Sequence, residues 1–207
     1  MLTVAALTTG VLYAWGLPPF ERRAEITAGE VCAPFGDASN ALPALDTVLP
    51  DRPEYSFSRS GNGPRSVGGS WVGYRLGCDV RSADGSVLLY STAEFTDYEP
   101  ARQDWIDEVL IHGSDDTQTF TAGTLAVVGD GQAAVNVPCL STKQAALGPQ
   151  GLQVGVYLRE YERPASAALR QSLADLAVSA AHYAHRDARC DLPSKLPDSA
   201  PRLTRSN

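Results

Sequence analysis

Four cysteines, Cys32, Cys78, Cys139 and Cys190, constrain this 207-residue chain more than any other feature. No two lie closer than 46 residues, so none forms the close C-x-x-C pair on which most intracellular zinc sites are built. The histidines His112, His182 and His185 make no motif with them, which disfavours a thiolate nucleophile with an imidazole base. An even set of distant cysteines behind an apolar N-terminal run predicts two disulfides formed outside the cytoplasm. Four buried thiols in a cytosolic protein are the competing reading. Three connectivities are open to four cysteines. The order of elements derived below favours Cys32–Cys78 and Cys139–Cys190, one staple in each half, each contributing about 4 kcal/mol on the chain-entropy account.

Residues 1–17 (MLTVAALTTGVLYAWGL) carry no charge, and Pro18-Pro19 end the run. At about 1.5 Å per residue this is a helix of roughly 26 Å, close to the hydrocarbon thickness of a bilayer. Tyr13 and Trp15 stand where aromatics favour the interface. A membrane anchor is the expectation, with a signal peptide as its competitor. No Lys or Arg precedes the run and Arg22 and Arg23 follow it; a start further upstream would restore the usual basic flank. Ile26-Thr27-Ala28 offers only a late cleavage site. Gly29-Glu30-Val31 before Cys32 spoils a lipobox, which leaves Cys32 free to pair.

Hydrophobic residues make up 43% of the chain and charged residues 20%, enough apolar material for one core of ordinary size. The net charge is −7, and no Lys/Arg cluster offsets it, so nucleic acid is excluded as an expected partner. Only Lys143 and Lys195 are lysines against fifteen arginines, a coding bias of GC-rich genomes.

Residues 18–30 read as a linker, 31–192 as an extracytoplasmic domain and 193–207, rich in proline and serine, as a disordered tail. Within the domain, residues 35–48 predict a helix from the spacing of Leu42, Leu45 and Leu49, capped around Ala38-Ser39-Asn40. Residues 54–59 alternate as a strand, and Gly-rich residues 60–69 predict a flexible loop. Residues 70–81 and 86–96 form a hairpin across Asp84-Gly85. Pro100 opens a helix that places Trp105, Ile106 and Val109 on one face. After a polar loop at 113–121, residues 124–128 and 132–138 form a second hairpin across Gly129-Asp130-Gly131. Residues 152–161 alternate as a strand. Residues 165–189 make the longest helix, with Leu169, Leu173, Leu176, Val178, Ala180 and Tyr183 as its buried stripe. Hairpins without βαβ alternation predict an α+β fold: one antiparallel sheet of about six strands with helices packed on it.

Cys32 and Phe35 lead into a leucine helix, and a Trp/Tyr-rich strand ends at Cys78. A valine strand closes at Pro138-Cys139 and an alanine-rich helix at Cys190. This arrangement, over about residues 30–192, resembles the DUF3558 class of exported actinobacterial proteins and, more loosely, the Mog1/PsbP-like fold. The resemblance implies export and no shared set of catalytic residues. Many members are lipid-anchored, and this chain lacks the lipobox.

Other constellations carry less. His182 and His185 with Asp187 have two ligands of a metal site on one helix but no third from elsewhere, so solvent-facing residues near a helix C-terminus are expected. Asp104, Asp107 and Glu108 read as a solvated first turn in preference to an acid/base pair. Asp97, Glu99, Asp115 and Asp116 lack the spacing of a calcium loop. Gly129-Asp130-Gly131 lacks the Lys-Ser/Thr of a phosphate loop. Ser86, Ser91 and Ser141 lack a nucleophile-elbow context. Trp71, Tyr74 and Tyr90 could line a cleft, though cross-strand packing is the commoner use. No catalytic residue, metal or cofactor is therefore expected. The expected function is a membrane-tethered domain binding an envelope protein or component. The alternative is a small-ligand carrier with a cleft between sheet and helix, and a hydrolase is the poorest fit.

Overall fold

The structure, a computed structural model, describes residues 23–110, 117–159 and 166–204. The apolar run 1–17 lies outside them. A 3-10 turn, Ala33–Phe35, precedes helix α1, Ala38–Val48. Strands β1, Tyr55–Val67, β2, Ser70–Ser82, and β3, Val87–Asp97, follow. Helix α2, Arg102–Val109, then precedes β4, Gln118–Thr119, β5, Leu125–Val128, β6, Gln132–Leu140, and β7, Gln150–Leu158; helix α3, Ala167–Asp187, comes last. The strands make one antiparallel sheet in the order β1-β2-β3-β7-β6-β5-β4. It is two meanders, joined where β3 pairs with β7. Among the described residues no helix is long and apolar enough to cross a membrane.

The α+β class holds, but the sheet has seven strands and not six. The extra strand, β4, has two residues inside the stretch expected to be loop, too short for an alternation to register. The expected flexible loop at 60–69 is also corrected. Strand β1 runs through it because β2 supplies partners for Gly61 (opposite Leu76) and Asn62 (opposite Arg75), with register shifts around Arg65 absorbing Pro64. The chain reverses only at Gly68-Gly69, both at positive φ (60° and 84°), where a Cβ would be strained.

Residues directly opposite each other on paired strands share a face. Leu89, Ser91 and Ala93 face the same side as Leu158, Val156 and Val154, and this side is covered by α3, against which α1 packs. Helix α3 buries Leu169, Leu173, Leu176, Ala177, Ala180, Ala181 and Ala184, the 3.6-residue stripe of a core helix, with alanines that let it lie close to the sheet. Ser166 caps its start by accepting from the Leu169 amide at 3.1 Å. The opposite face carries α2 over its β5–β6 side, where Trp105 and Val109 pack on Val127 and Ala134. Covered on both faces, β6 buries all nine residues.

Cys32 is joined to Cys78 and Cys139 to Cys190, with Cα–Cα separations of 6.4 and 4.4 Å. The first ties the turn before α1 to β2, and the second ties β6 to the end of α3.

Two boundaries differ from expectation. The domain begins inside the stretch read as linker: the Ala24 amide donates to Arg52 O at 2.8 Å, and Ile26 is buried in the core. The C-terminal stretch read as a disordered tail is held as an extended strap through Thr204. It has no regular structure, as its prolines dictate, yet its backbone groups find side-chain partners along α3, and Leu196, Ala200 and Leu203 join the core.

Candidate binding sites

The strap is fixed by one face of α3. The ring of His185 donates through Nε2 to Leu192 O and that of His182 through Nε2 to Pro197 O, both at 2.9 Å; a carbonyl only accepts, so each Nε2 carries the proton. Gln171 accepts from the Leu203 amide at 2.9 Å, and Asp175 accepts from the backbone of Ala200. Positions 171, 175, 182 and 185 recur at helical spacing, so a single edge of the helix reads the strap. The two histidines, expected at the solvent surface, are therefore strap clamps. Burial is the main influence on His185 and lowers its pKa; burial likewise raises that of Asp175.

Helices α1 and α3 and the strap enclose an open groove of about 860 Å³. Ser39, Asn40 and Thr47 line one wall, Ser172 and Asp175 the other, and Arg202 the strap side. Hydroxyls, an amide, a carboxylate and a guanidinium make it a surface for hydrogen bonding, with Pro43 and Ala44 giving apolar footing.

A second cavity, of about 180 Å³, lies between α2 and β5 and is lined by Arg102, Trp105, Thr119, Phe120, Thr124 and Leu125, among others. Beside it is a transverse row on the α2 face: Arg75, Glu94, Gln153, Asn136 and Leu125, each opposite the next on paired strands. Arg75 and Glu94 pair at 2.7 Å, and the Trp105 indole donates to Gln153 Oε1 at 3.0 Å. Asn136 is fully buried, and among the described residues neither its Nδ2 nor its Oδ1 has a hydrogen-bond partner. The carboxamide lies over Gly151, where an added Cβ would stand 3.3 Å from Nδ2. Buried polar groups are nearly always partnered, so this carboxamide is an exception to the rule. An asparagine on a strand gives no such signal in the sequence.

The remaining expected groups are dispersed. Asp104, Asp107 and Glu108 are exposed on α2, with Asp107 bonded to Gln103. Asp97 and Glu99 are exposed, and Asp115, Asp116 and His112 lie outside the described residues. Among the described residues no three His, Cys, Asp or Glu side chains are grouped to hold a metal. Gly129-Asp130-Gly131 is a hairpin turn closed by Gly129 N to Gln132 O, with Asp130 3.4 Å from Arg170. Ser86 belongs to a turn with Ser82 and Asp84, whose bonds hold the Asp84 carboxyl down at about 2. Ser91 is buried on the α3 face, and Ser141 bonds Asp191. The three aromatics do not share a cleft. Trp71 and Tyr74 pack on the α3-side core, where burial first and then Asp187 raise the Tyr74 phenol. Tyr90 stacks on Tyr157 on the opposite face, under the Arg159 guanidinium. No protein-family model, curated protein or solved structure matches the chain.

Proposed function

We propose that the chain is a membrane-tethered extracytoplasmic domain that binds an envelope protein or component and does not transform a substrate, with residues 1–17 as its tether. The groove between α1, α3 and the strap carries this reading. It is open, mixed polar and apolar, and built on walls held by a disulfide and a ladder of hydrogen bonds, so it is preorganised for an extended, hydrogen-bonding partner. The two disulfides and the resemblance to exported actinobacterial proteins of the DUF3558 class support the same compartment. A photo-cross-linking residue at Ser172, inside the groove, tests it against one at Thr92, exposed on the opposite face. The reading predicts adducts with an envelope component from Ser172 alone. Equal labelling from both positions, or none from Ser172, contradicts it.

One observation favours a second reading, a small-ligand carrier: the buried Asn136 carboxamide has no hydrogen-bond partner among the described residues and stands opposite Leu125, which lines the α2–β5 cavity. Native mass spectrometry of the purified protein distinguishes the two. A co-purifying small molecule that disappears in an Asn136→Leu variant supports the carrier, and an empty protein opposes it.

A further inference from the structure

Three large aliphatic side chains are conspicuously exposed among the described residues: Val67 (68%), Val72 (39%) and Leu147 (81%). Single exposed aliphatics need no explanation, but these three lie on adjacent segments. Val67 ends β1 at the Gly68-Gly69 turn, and Val72 lies just beyond that turn in β2. Leu147 belongs to the segment 141–149, which takes the place beside β2 that β3 leaves open, since pairing of β2 with β3 begins only at Arg75. There the Trp71 amide donates to Gln144 O at 2.8 Å and the Ala146 amide to Trp71 O at 3.5 Å. The patch thus spans three adjacent segments, about 10 Å across at the usual strand spacing.

Cations lie on the same and neighbouring segments. Arg65 is exposed on β1, Lys143 is exposed in the 141–149 segment, and the Arg189 guanidinium lies 5.9 Å from the centre of the Trp71 ring. Three carboxylates lie near these cations: Asp191, which accepts from the amide and hydroxyl of Ser141 and faces Lys143, Glu94, which pairs with Arg75, and Asp97, exposed opposite Gln150. In a chain of net charge −7, the sequence from Tyr55 to Cys78 contains Arg59, Arg65 and Arg75 and no Asp or Glu. Exposed aliphatics with cations on the same and neighbouring segments are complementary to an anionic headgroup layer over acyl chains.

We propose that this end of the β1–β2 hairpin, together with segment 141–149, docks on an anionic lipid surface. Val67, Val72 and Leu147 enter the boundary between headgroups and acyl chains, and Arg65, Lys143 and Arg189 pair with lipid phosphates. The inference rests on the reading that the domain faces a membrane, and it adds an orientation. The described chain begins at Arg23, which pairs with Asp46 and Asp51 and lies over the Tyr55 ring at the start of β1. Val67 is at the other end of that strand, about 40 Å away at roughly 3.3 Å per residue. The described chain therefore begins at one end of the edge strand, and the foot lies at the other.

Hydrogen exchange of the full chain tests this with vesicles of mixed phosphatidylcholine and phosphatidylglycerol, and with phosphatidylcholine alone. Peptides covering residues 65–73 and 141–149 are expected to exchange about tenfold more slowly with the anionic vesicles only, and to lose that protection as salt is raised. A Val67→Asp, Leu147→Asp double variant, altered at exposed positions, is expected to abolish it. Peptides from residues 1–22 report the tether separately. Protection there with none at 65–73 and 141–149 overturns the proposal and spares the tether. Protection of the hairpin with none at 1–22 sustains the proposal and overturns the tether. Equal protection by both vesicle types, or protection only on adding a protein, overturns the lipid assignment.

Discussion

Removing the two disulfides one at a time asks whether they act on the folded or the unfolded chain. They close stretches of 46 and 51 residues. Loop-closure entropy predicts a contribution of about 4 kcal/mol from each, differing by only ~0.1 kcal/mol because the dependence on length is logarithmic. Their folded surroundings are unlike. At Cys139–Cys190 the amides of Asp191 and Leu192 both donate to Cys139 O, at 3.0 and 3.1 Å, and Ser141 bonds the Asp191 carboxylate twice. Cys32 reaches β2 beside the buried Phe35, through apolar packing. If the staples work by restricting the unfolded chain, Cys32→Ala with Cys78→Ala and Cys139→Ala with Cys190→Ala lose stability equally in urea denaturation. Each melts about 8–16 °C lower, at roughly 2–4 °C per kcal/mol for a domain of this size. The Asp191 and Leu192 amides nonetheless stay protected from exchange in the second variant. Losses differing by more than about 1 kcal/mol, with the larger at Cys32–Cys78, would refute the unfolded-state reasoning and assign the effect to folded contacts.

The strap gives a pH dependence. His185 has its folded pKa lowered from 6.5 by burial, so it is neutral in both states well above pH 6.5; as pH falls below that value the unfolded chain takes up the proton first and stability declines. His185→Gln, which keeps a donor for Leu192 O, is expected to flatten this slope in urea titrations, and an unchanged slope counts against the clamp. Asn136→Leu removes a buried donor and acceptor that have no partners among the described residues, and is expected to raise stability by about 1–3 kcal/mol; a destabilised variant counts against an unpartnered carboxamide. Gly155→Ala sets a methyl against the Tyr157 ring, which stacks on Tyr90 at 4.9 Å, and is expected to cost about 1–3 kcal/mol. A neutral effect on the melting temperature would mean that the ring moves freely.

The sheet and its long helix were legible because their signals are periodic: the stripe from Leu169 through Leu176, and the alternation of Leu152, Val154 and Val156. What escaped was set by partners distant in sequence. Residues 60–67 have turn-like composition and become strand only because β2 lies alongside. Residues 193–204 resemble a disordered tail and are ordered by polar side chains of α3, which a hydrophobic pattern does not count. His182 and His185 stand at metal-like spacing, but the carbonyls they bind are invisible as sequence. The groove, the buried Asn136 and the placement of Val67, Val72 and Leu147 on adjacent segments are properties of the fold alone.

The central claim, a disulfide-stapled domain outside the cytoplasmic membrane, is tested most directly by adding protease to intact cells whose outer layers have been removed, then mapping the released peptides without reduction. The account predicts that the domain is digested from outside and yields linked peptides carrying Cys32 with Cys78 and Cys139 with Cys190. Digestion only after the membrane is permeabilised, with four cysteines open to alkylation, would contradict it.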